Sequence, residues 1–224
     1  MKQSEREAFE KYFQIEEMKR KIQDTLSRIQ NILTLEKGKI YLAFSGGKDS
    51  LVMMDLVMRV SQDVPVVHFT YGDLYLPQVI ENEINQIYLF MKEKRKHRGG
   101  YIVFRGNEDV KFYKELGGKF IPKLRQLGYE AVFLGFREEE SSKRKRKVKN
   151  VKEMFSQRVY FPIYDWSAIE IWAYIVGNGL PYLSHYDRYS KYENILNVRL
   201  STLFDLPVSR RTDRIVYPHF WNVI

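Results

Sequence analysis

The stretch that decides the fold is residues 40–50, which read Ile-Tyr-Leu-Ala-Phe-Ser-Gly-Gly-Lys-Asp-Ser. A short apolar run with strand character, residues 40–44, leads into a polar, glycine-containing loop. Residues 51–60 then continue as an apolar stretch that we interpret as a buried helix. In an open α/β fold, a loop between a strand and a helix lies at the carboxyl edge of the sheet, where ligands bind.

The composition of this loop favours phosphate as the ligand. Its two glycines permit positive φ angles and close approach of the backbone to an anion. The N–H groups and the dipole of the following helix attract negative charge. The two serines can donate hydroxyl hydrogen bonds, Lys48 supplies a positive charge, and Asp49 can hold Mg²⁺ or cap the helix. The predicted phosphate-binding residues are Ser45, Gly46, Gly47, Lys48, Asp49 and Ser50.

On the C-terminal side of this loop, patterns typical of strands and of helices alternate along the sequence. Further strands are predicted at residues 64–70, 101–104 and 131–136, and helices at about 77–91 and 120–127. This alternation predicts a doubly wound, mainly parallel α/β sheet. It also excludes an all-α or all-β architecture for this part of the chain.

The two ends of the chain differ from this pattern. Residues 4–35 carry apolar side chains every three or four positions and predict one long helix. Nothing in that pattern decides between packing on the sheet and pairing with a second copy in a homodimer. Ser167 and Glu170 form a capping box that begins a helix through about residue 176. We therefore divide the chain into an N-terminal helix (1–37), a nucleotide-binding domain (38–190) and a C-terminal extension (191–224).

The amino-acid composition excludes several kinds of functional site. The chain of 224 residues has no cysteine, which excludes disulfides, a thiolate nucleophile and iron–sulfur or zinc–thiolate sites made by the chain itself. Its four histidines lie far apart, so we expect no zinc site. A net charge of +9 indicates anionic partners. No apolar stretch approaches the ~18 residues of a membrane span, and the charged first ten residues are not a signal peptide. We expect a cytoplasmic protein.

A second charged segment follows the predicted fourth strand, so it lies at the same edge of the sheet as the loop. It reads Gly-Phe-Arg-Glu-Glu-Glu-Ser-Ser-Lys-Arg from residue 135. Arg137 and Arg144 can clamp phosphate or sulfate oxygens in bidentate fashion, and Glu140 can orient an arginine or a metal-bound water. Gly135 permits close approach, and Ser141 completes the predicted set. Taken alone, such a charge run is more typical of a solvated loop.

These segments carry a family resemblance. The phosphate loop resembles the S-G-G-x-D-S signature of the PP-loop, or N-type ATP pyrophosphatase, superfamily. The second segment is similar to G-x-R-x-x-E-S-x-x-R, a motif of the phosphoadenylyl-sulfate reductase family within it. A third match, Pro-Ile-Tyr-Asp-Trp-Ser at residues 162–167 followed by Leu-Pro-Tyr at 180–182 and Tyr-Asp at 186–187, extends the resemblance over residues 36–190.

The resemblance implies a fold of the adenine nucleotide α hydrolase type and binding of ATP with Mg²⁺. It also implies adenylyl transfer with release of pyrophosphate. Lys48, Asp49 and Arg137 are then the predicted catalytic residues, with Asp49 as the metal ligand. Gly135, Glu140, Ser141 and Arg144 join the phosphate loop as predicted nucleotide-binding residues.

The chain departs from the family in two places. Reductases of the family use a cysteine near the C-terminus, and this chain has none. The family's Asp-Thr-Gly after the second strand is replaced by Phe-Thr-Tyr-Gly-Asp at residues 69–73. Two alternatives to adenylyl transfer therefore stay open. One is sulfonate chemistry on a sulfated adenine nucleotide with a thiol or sulfur-carrier protein as partner. The other is a nucleotide- or nucleic-acid-binding module without catalysis.

The basic run at residues 143–152 holds seven cations in ten residues. It is interpreted as a flexible flap over the triphosphate, as a contact for tRNA or DNA, or as a solvated loop. The second interpretation predicts steep salt dependence of binding. Its candidate contact residues are Lys143, Lys145, Arg146, Lys147 and Lys149.

Overall fold

A computed structural model describes residues 1–70, 76–106 and 112–198 of the chain. Its centre is a six-stranded sheet in the order β3-β2-β1-β4-β6-β5. The strands are β1 (Ile40–Ala43), β2 (Val66–Thr70), β3 (Tyr101–Arg105), β4 (Ala131–Phe133), β5 (Glu153–Met154) and β6 (Gln157–Tyr160). All neighbouring pairs are parallel except β5 and β6. The predicted doubly wound, mainly parallel α/β fold is therefore confirmed.

Nine helices surround the sheet in the described part of the chain. They are α1 (Gln3–Gln14), α2 (Glu16–Glu36), α3 (Lys48–Val60), α4 (Gln78–Arg95), α5 (Phe112–Glu115), α6 (Ile121–Gln126), α7 (Ser142–Asn150), α8 (Ala168–Gly177) and α9 (His185–Tyr189). A π-helical turn, Leu116–Phe120, joins α5 to α6, and a 3₁₀ turn, Glu138–Glu140, precedes α7.

The alternation of side chains along β1 explains why apolar clusters lie on both faces of the sheet. Ile40, Leu42 and Phe44 face the larger apolar cluster beneath α3, α4 and α8. Tyr41 points to the opposite face of the sheet, where it belongs to a smaller apolar cluster that also contains Phe120. Because successive residues of a strand point to opposite faces, a strand covered by helices on both sides must be apolar throughout.

The long helix predicted over residues 4–35 is two helices that meet at Ile15. The ψ angle of Ile15 is 146°, an extended value that ends α1 and begins α2. The break allows the two helices to pack on different partners. The ring of Phe9 in α1 lies 6.5 Å from that of Trp172 in α8, whereas α2 packs on α3. A Cβ atom on Gly177 would lie 2.1 Å from the Phe13 ring, so α8 needs glycine there.

Two other predictions about secondary structure were incomplete. The hairpin of β5 and β6, with positive φ angles at Phe155 and Ser156, was not predicted. Most of the basic run forms helix α7, so its interpretation as a solvated loop was wrong, whereas its interpretations as a flap or as a nucleic-acid contact stay predictions. Residues 71–75, which include Asp73, and most of the C-terminal extension lie outside the described residues.

A buried polar cluster ties α3, α4 and α8 together below the sheet. Asp55 is fully buried and accepts hydrogen bonds from Nε and an Nη atom of Arg95, both at 2.8 Å, and from the Tyr174 hydroxyl at 2.7 Å. Arg59 donates to the same hydroxyl at 3.0 Å. A buried carboxylate is tolerated only when its oxygens are paired in this way.

We expect Asp55→Ala to lower the free energy of unfolding by about 3 kcal/mol, because it leaves the Arg95 guanidinium without its partner. A matched control is Asp63→Ala. That change breaks another bidentate Arg–Asp pair, with Arg98, whose side chains are about two thirds exposed. Exposed pairs contribute at most about 1 kcal/mol. Urea denaturation measures both variants, and an equal loss in the two would contradict the assignment.

Candidate functional site

The site lies where the strand order of the sheet reverses. Strand β1 has β2 on one side and β4 on the other, so the chain winds outward in both directions from it. In such sheets the loops that follow the two central strands leave a crevice at the carboxyl edge. Here those loops are the phosphate loop, residues 45–50, and the arginine segment, residues 135–144.

The two loops are in backbone contact. A Cβ atom on Gly135 would lie 2.9 Å from the carbonyl carbon and oxygen of Asp49 and from the amide nitrogen of Ser50. The close approach predicted for Gly135 is therefore made to the start of α3. Glycine is required because any side chain would separate the two loops.

Internal hydrogen bonds close the phosphate loop. The Ser50 hydroxyl donates to the Gly47 carbonyl at 2.9 Å, accepts from the Ser45 amide at 3.3 Å, and lies 3.1 Å from the Ser45 hydroxyl. Gly46 has a φ of 80°, and a Cβ there would lie 2.5 Å from Ile84 of α4. Gly46 is thus required both by its conformation and by its neighbour.

Helix α3 begins within this loop, at Lys48, and Gly47 is its N-cap residue. The first amides of a helix have no acceptor within the helix, which makes this end suited to an anion. One of them is already used, because the Lys48 amide donates to the Tyr186 hydroxyl at 3.0 Å. Sequence analysis placed Tyr186 only within a family match. Its contact with the loop spans 138 residues, and no local pattern signals it.

The Lys48 side chain is buried rather than directed into the crevice. Its ammonium donates to the Val198 carbonyl at 3.1 Å, lies 3.7 Å from Oδ2 of Asp49, and approaches the Tyr186 ring. Only 1% of the side chain is exposed. The direct contact between this ammonium and phosphate stays a prediction. In this structure the charge of Lys48 acts on the Asp49 carboxylate.

An ion pair links the two signature segments. Nε of Arg137 lies 2.5 Å from Oδ1 of Asp49, and the two side chains are 3% and 14% exposed. Burial alone raises the pKa of the Asp49 carboxyl, but the charges of Lys48 and Arg137 outweigh burial and hold that pKa below its usual value. Asp49 is therefore a carboxylate with a cation on each side.

Arg137 also connects the site to α8. Its Nη1 donates to Glu139 at 2.6 Å and to the Trp166 carbonyl at 3.2 Å. The same carboxylate oxygen of Glu139 accepts from the Ala168 amide in the first turn of α8, at 2.7 Å. Glu139 was not among the predicted site residues, because nothing in a run of three glutamates distinguishes the one that contacts both Arg137 and the first turn of α8.

The second arginine is paired in a similar way. Arg144 contacts the Glu140 carboxylate, and its guanidinium lies 4.3 Å from the centre of the Phe136 ring. Glu140 also accepts from the Arg137 amide at 3.0 Å, and the Ser141 hydroxyl accepts from the Arg144 amide at 3.1 Å, which caps α7. Both arginines predicted to clamp phosphate or sulfate are thus held by carboxylates.

Asp49 is the residue that the sequence predicted as a ligand of Mg²⁺. In the described residues no three metal-binding side chains come together. Mg²⁺ commonly binds through one or two carboxylates and the phosphates of a substrate. The single carboxylate of Asp49 would suffice for a Mg²⁺ ion that arrives with a polyphosphate, and its role as a metal ligand stays a prediction.

The fold is the one that the resemblance to the PP-loop adenine nucleotide α hydrolase superfamily implies. Two solved structures have the same fold. An NH3-dependent NAD synthetase of Campylobacter jejuni has a TM-score of 0.53 at 13% identity, with 80% of each chain covered. An NMN synthetase of Francisella tularensis has a TM-score of 0.50 at 10% identity, with 73% of this chain and 71% of that chain covered.

Within this superfamily, the model of the phosphoadenosine phosphosulfate reductase domain matches residues 39–195, and the chain belongs to that family. A phosphoadenosine 5′-phosphosulfate reductase of Serratia proteamaculans is 28% identical over 178 residues, 71% of each chain. One of Alkalilimnicola ehrlichii is 29% identical over 160 residues, 65% of this chain and 64% of its own. An uncharacterized protein of Methanocaldococcus jannaschii is 28% identical over 181 residues, 71% of this chain but 36% of its own length.

The match therefore spans just over a third of the Methanocaldococcus protein and just under two thirds of the Alkalilimnicola enzyme.

Among the described residues, no helix has the length and apolar character that crossing a membrane requires.

We expect Gly135→Ala to lower the free energy of unfolding by about 1–3 kcal/mol, because the new methyl group would overpack the contact between the arginine segment and the start of α3. The matched control is Gly100→Ala, whose Cβ would meet nothing within 4 Å. Urea denaturation compares the two variants, and equal stabilities would contradict the role of the contact.

The Asp49–Arg137 pair predicts a pH dependence of stability. The pKa of Asp49 is lowered in the folded state, so the pair stabilises the fold above the unfolded value of about 3.9 and is lost as the pH falls through the folded pKa. In Arg137→Gln the carboxyl keeps its burial but loses one cation, so its pKa rises. The difference in unfolding free energy between wild type and variant should therefore be largest near neutral pH and shrink in acid.

Urea denaturation at a series of pH values measures this difference. The control is the same substitution in an Asp49→Asn background, where the difference should be much flatter with pH. A pH dependence of the same size in both backgrounds would assign it to Glu139 or Glu140 instead.

Proposed function

We propose that the chain binds ATP at the phosphate loop and activates an acceptor by adenylyl transfer. The observation that carries the proposal is the position of the loop and of the α3 N-terminus at the reversal of strand order, with Arg137 in contact with Asp49. In the proposed reaction an acceptor oxygen attacks the α-phosphorus. The bond between that phosphorus and the oxygen that bridges to the β-phosphate breaks, pyrophosphate leaves, and the acceptor proton passes to solvent.

The chain's own groups serve this reaction by position and charge. The amides at the start of α3 and the hydroxyls of Ser45 and Ser50 would hold the leaving pyrophosphate. Asp49, oriented by Arg137, would hold the metal, and Mg²⁺ when bound neutralises phosphate charge. Chemistry of this type depends mainly on positioning and electrostatic stabilisation. It requires no nucleophile from the protein, which suits a chain without cysteine.

A second candidate function is supported by family membership. The relatives named as phosphoadenosine 5′-phosphosulfate reductases suggest a sulfated adenine nucleotide as substrate. A thiolate of a dithiol partner would attack the sulfonate sulfur, and the sulfur–oxygen bond to the nucleotide phosphate would break. The partner's second thiol would then release sulfite and leave a disulfide. This route needs a thioredoxin-like protein or a sulfur carrier, because the chain has no thiol.

Isothermal titration with three ligands tests these candidates: Mg-ATP, its non-hydrolysable α,β-analogue and 3′-phosphoadenylyl sulfate. We expect Mg-ATP to bind best. Lys48→Met should weaken this binding strongly because it removes a positive charge at the start of α3, and Asp49→Asn because it removes the carboxylate proposed to hold Mg²⁺. Lys92→Met is the matched control, because Lys92 is exposed on α4. Circular dichroism should show that all variants remain folded.

Other outcomes separate the alternatives. If the sulfated nucleotide binds best, and added dithiol releases sulfite, adenylyl transfer is rejected in favour of sulfonate chemistry. If ATP binds tightly but no pyrophosphate is released with any acceptor tested, the protein binds the nucleotide without catalysing adenylyl transfer. Absence of binding to all three ligands would reject a nucleotide site at the loop.

A further inference from the structure

One face of α7 carries cations that the fold does not use. Lys145, Arg146 and Lys149 are exposed, and Lys149 lies four residues after Lys145 and three after Arg146, so it shares one side of the helix with both. We call these three residues the outer α7 face. None of them forms an ion pair with another residue in the part of the chain that the structure describes.

The opposite side of α7 holds the helix in place. Arg144 contacts Glu140 and the Phe136 ring, and the Lys147 ammonium lies 5.5 Å from the centre of the same ring. Val148 packs against the smaller apolar cluster of the sheet. Because these contacts anchor the helix, the outer α7 face is not needed for packing.

The charges of the outer α7 face oppose the stability of the helix that carries them. Lys145 and Lys149 are like charges at i and i+4, an arrangement that destabilises a helix. The first turn of α7 has no acidic residue, although the helix dipole favours acidic residues there. A bound polyanion would relieve both effects.

From this surface we infer that the outer α7 face binds the phosphate backbone of a nucleic-acid strand. A row of cations along a helix matches an extended polyanion better than a compact anion. The net charge of +9 favours the same class of partner. This inference goes beyond the proposed function and does not rest on it.

The position of α7 relates this surface to the candidate site. Ser141, its N-cap, follows Arg137 by four residues, so their Cα atoms lie no more than about 14 Å apart. The N-terminal end of α7 therefore lies close to the arginine segment, and the outer α7 face begins about one helical turn beyond it.

The test compares two triple variants of the full chain. One replaces Lys145, Arg146 and Lys149 with Gln. The control replaces Lys11, Arg20 and Lys92 with Gln; these cations are exposed, lie on other helices, and form no ion pair with any described residue. Both lower the net charge by the same amount. Fluorescence anisotropy with single-stranded RNA and DNA of about 20 nucleotides, duplex DNA of the same sequence and a tRNA pool gives affinities at several salt concentrations.

We expect the wild type to bind at least one probe, with affinity that falls steeply with salt. The α7 triple variant should bind at least about tenfold more weakly at low salt. Its slope of log affinity against log salt should fall by about 2 on single strands, since each lost phosphate contact removes about 0.7. The control should stay within about threefold. The probe bound most tightly identifies RNA or DNA as the source of the phosphates.

The inference would be overturned by equal weakening in both triple variants, or by no binding of the wild type to any probe. Mg-ATP titration of the α7 triple variant should give the wild-type affinity. Loss of ATP binding without loss of nucleic-acid binding would make α7 part of the nucleotide site and also overturn the inference. Failure of the wild type to bind ATP would reject the proposed function alone.

Discussion

The ion pair between Asp49 and Arg137 is the constraint on which the arrangement of the site depends. Both side chains are largely buried, and a buried charge is tolerated only when an opposite charge and hydrogen bonds compensate it. The pair therefore fixes the segment after β4 against the loop after β1, and Gly135 lets their backbones meet. Glu139 extends the same network to the first turn of α8. The phosphate loop is thus held by charges from two segments of the sequence and by backbone groups of a third, Trp166 and Ala168.

This network also limits how an anion can bind. Arg137 and Arg144 already have carboxylate partners, so a phosphate that contacted either guanidinium would compete with Asp49 or Glu140. The Lys48 ammonium is likewise engaged with the Val198 carbonyl. An incoming phosphate must therefore meet the start of α3 through amides and hydroxyls first, or exchange partners with the carboxylates. A divalent cation at Asp49 would favour the exchange, since it would replace the positive charge that the carboxylate loses.

Local signals allowed much of the fold to be predicted. The βα unit around the phosphate loop and the capping box of Ser167 and Glu170 depend on neighbours in sequence, and both occur as expected. The break at Ile15 has no proline or glycine to mark it, because it arises from the separate packing of α1 and α2. The contacts of Lys48 with Tyr186 and Val198 span about 140 to 150 residues, so no pattern within the loop could predict them.

The absence of cysteine makes the two candidate reactions more alike than their products suggest. In both, the nucleophile comes from outside the chain, as an acceptor oxygen or as a partner's thiolate. In both, the chain's task is to hold an adenine nucleotide and to stabilise a leaving phosphate group, the pyrophosphate in one case and the nucleotide's own phosphate in the other. What separates them is whether a phosphorus or a sulfur atom faces the incoming nucleophile. That choice depends on which nucleotide the crevice accepts, because the same amides, hydroxyls and carboxylate would serve either leaving group.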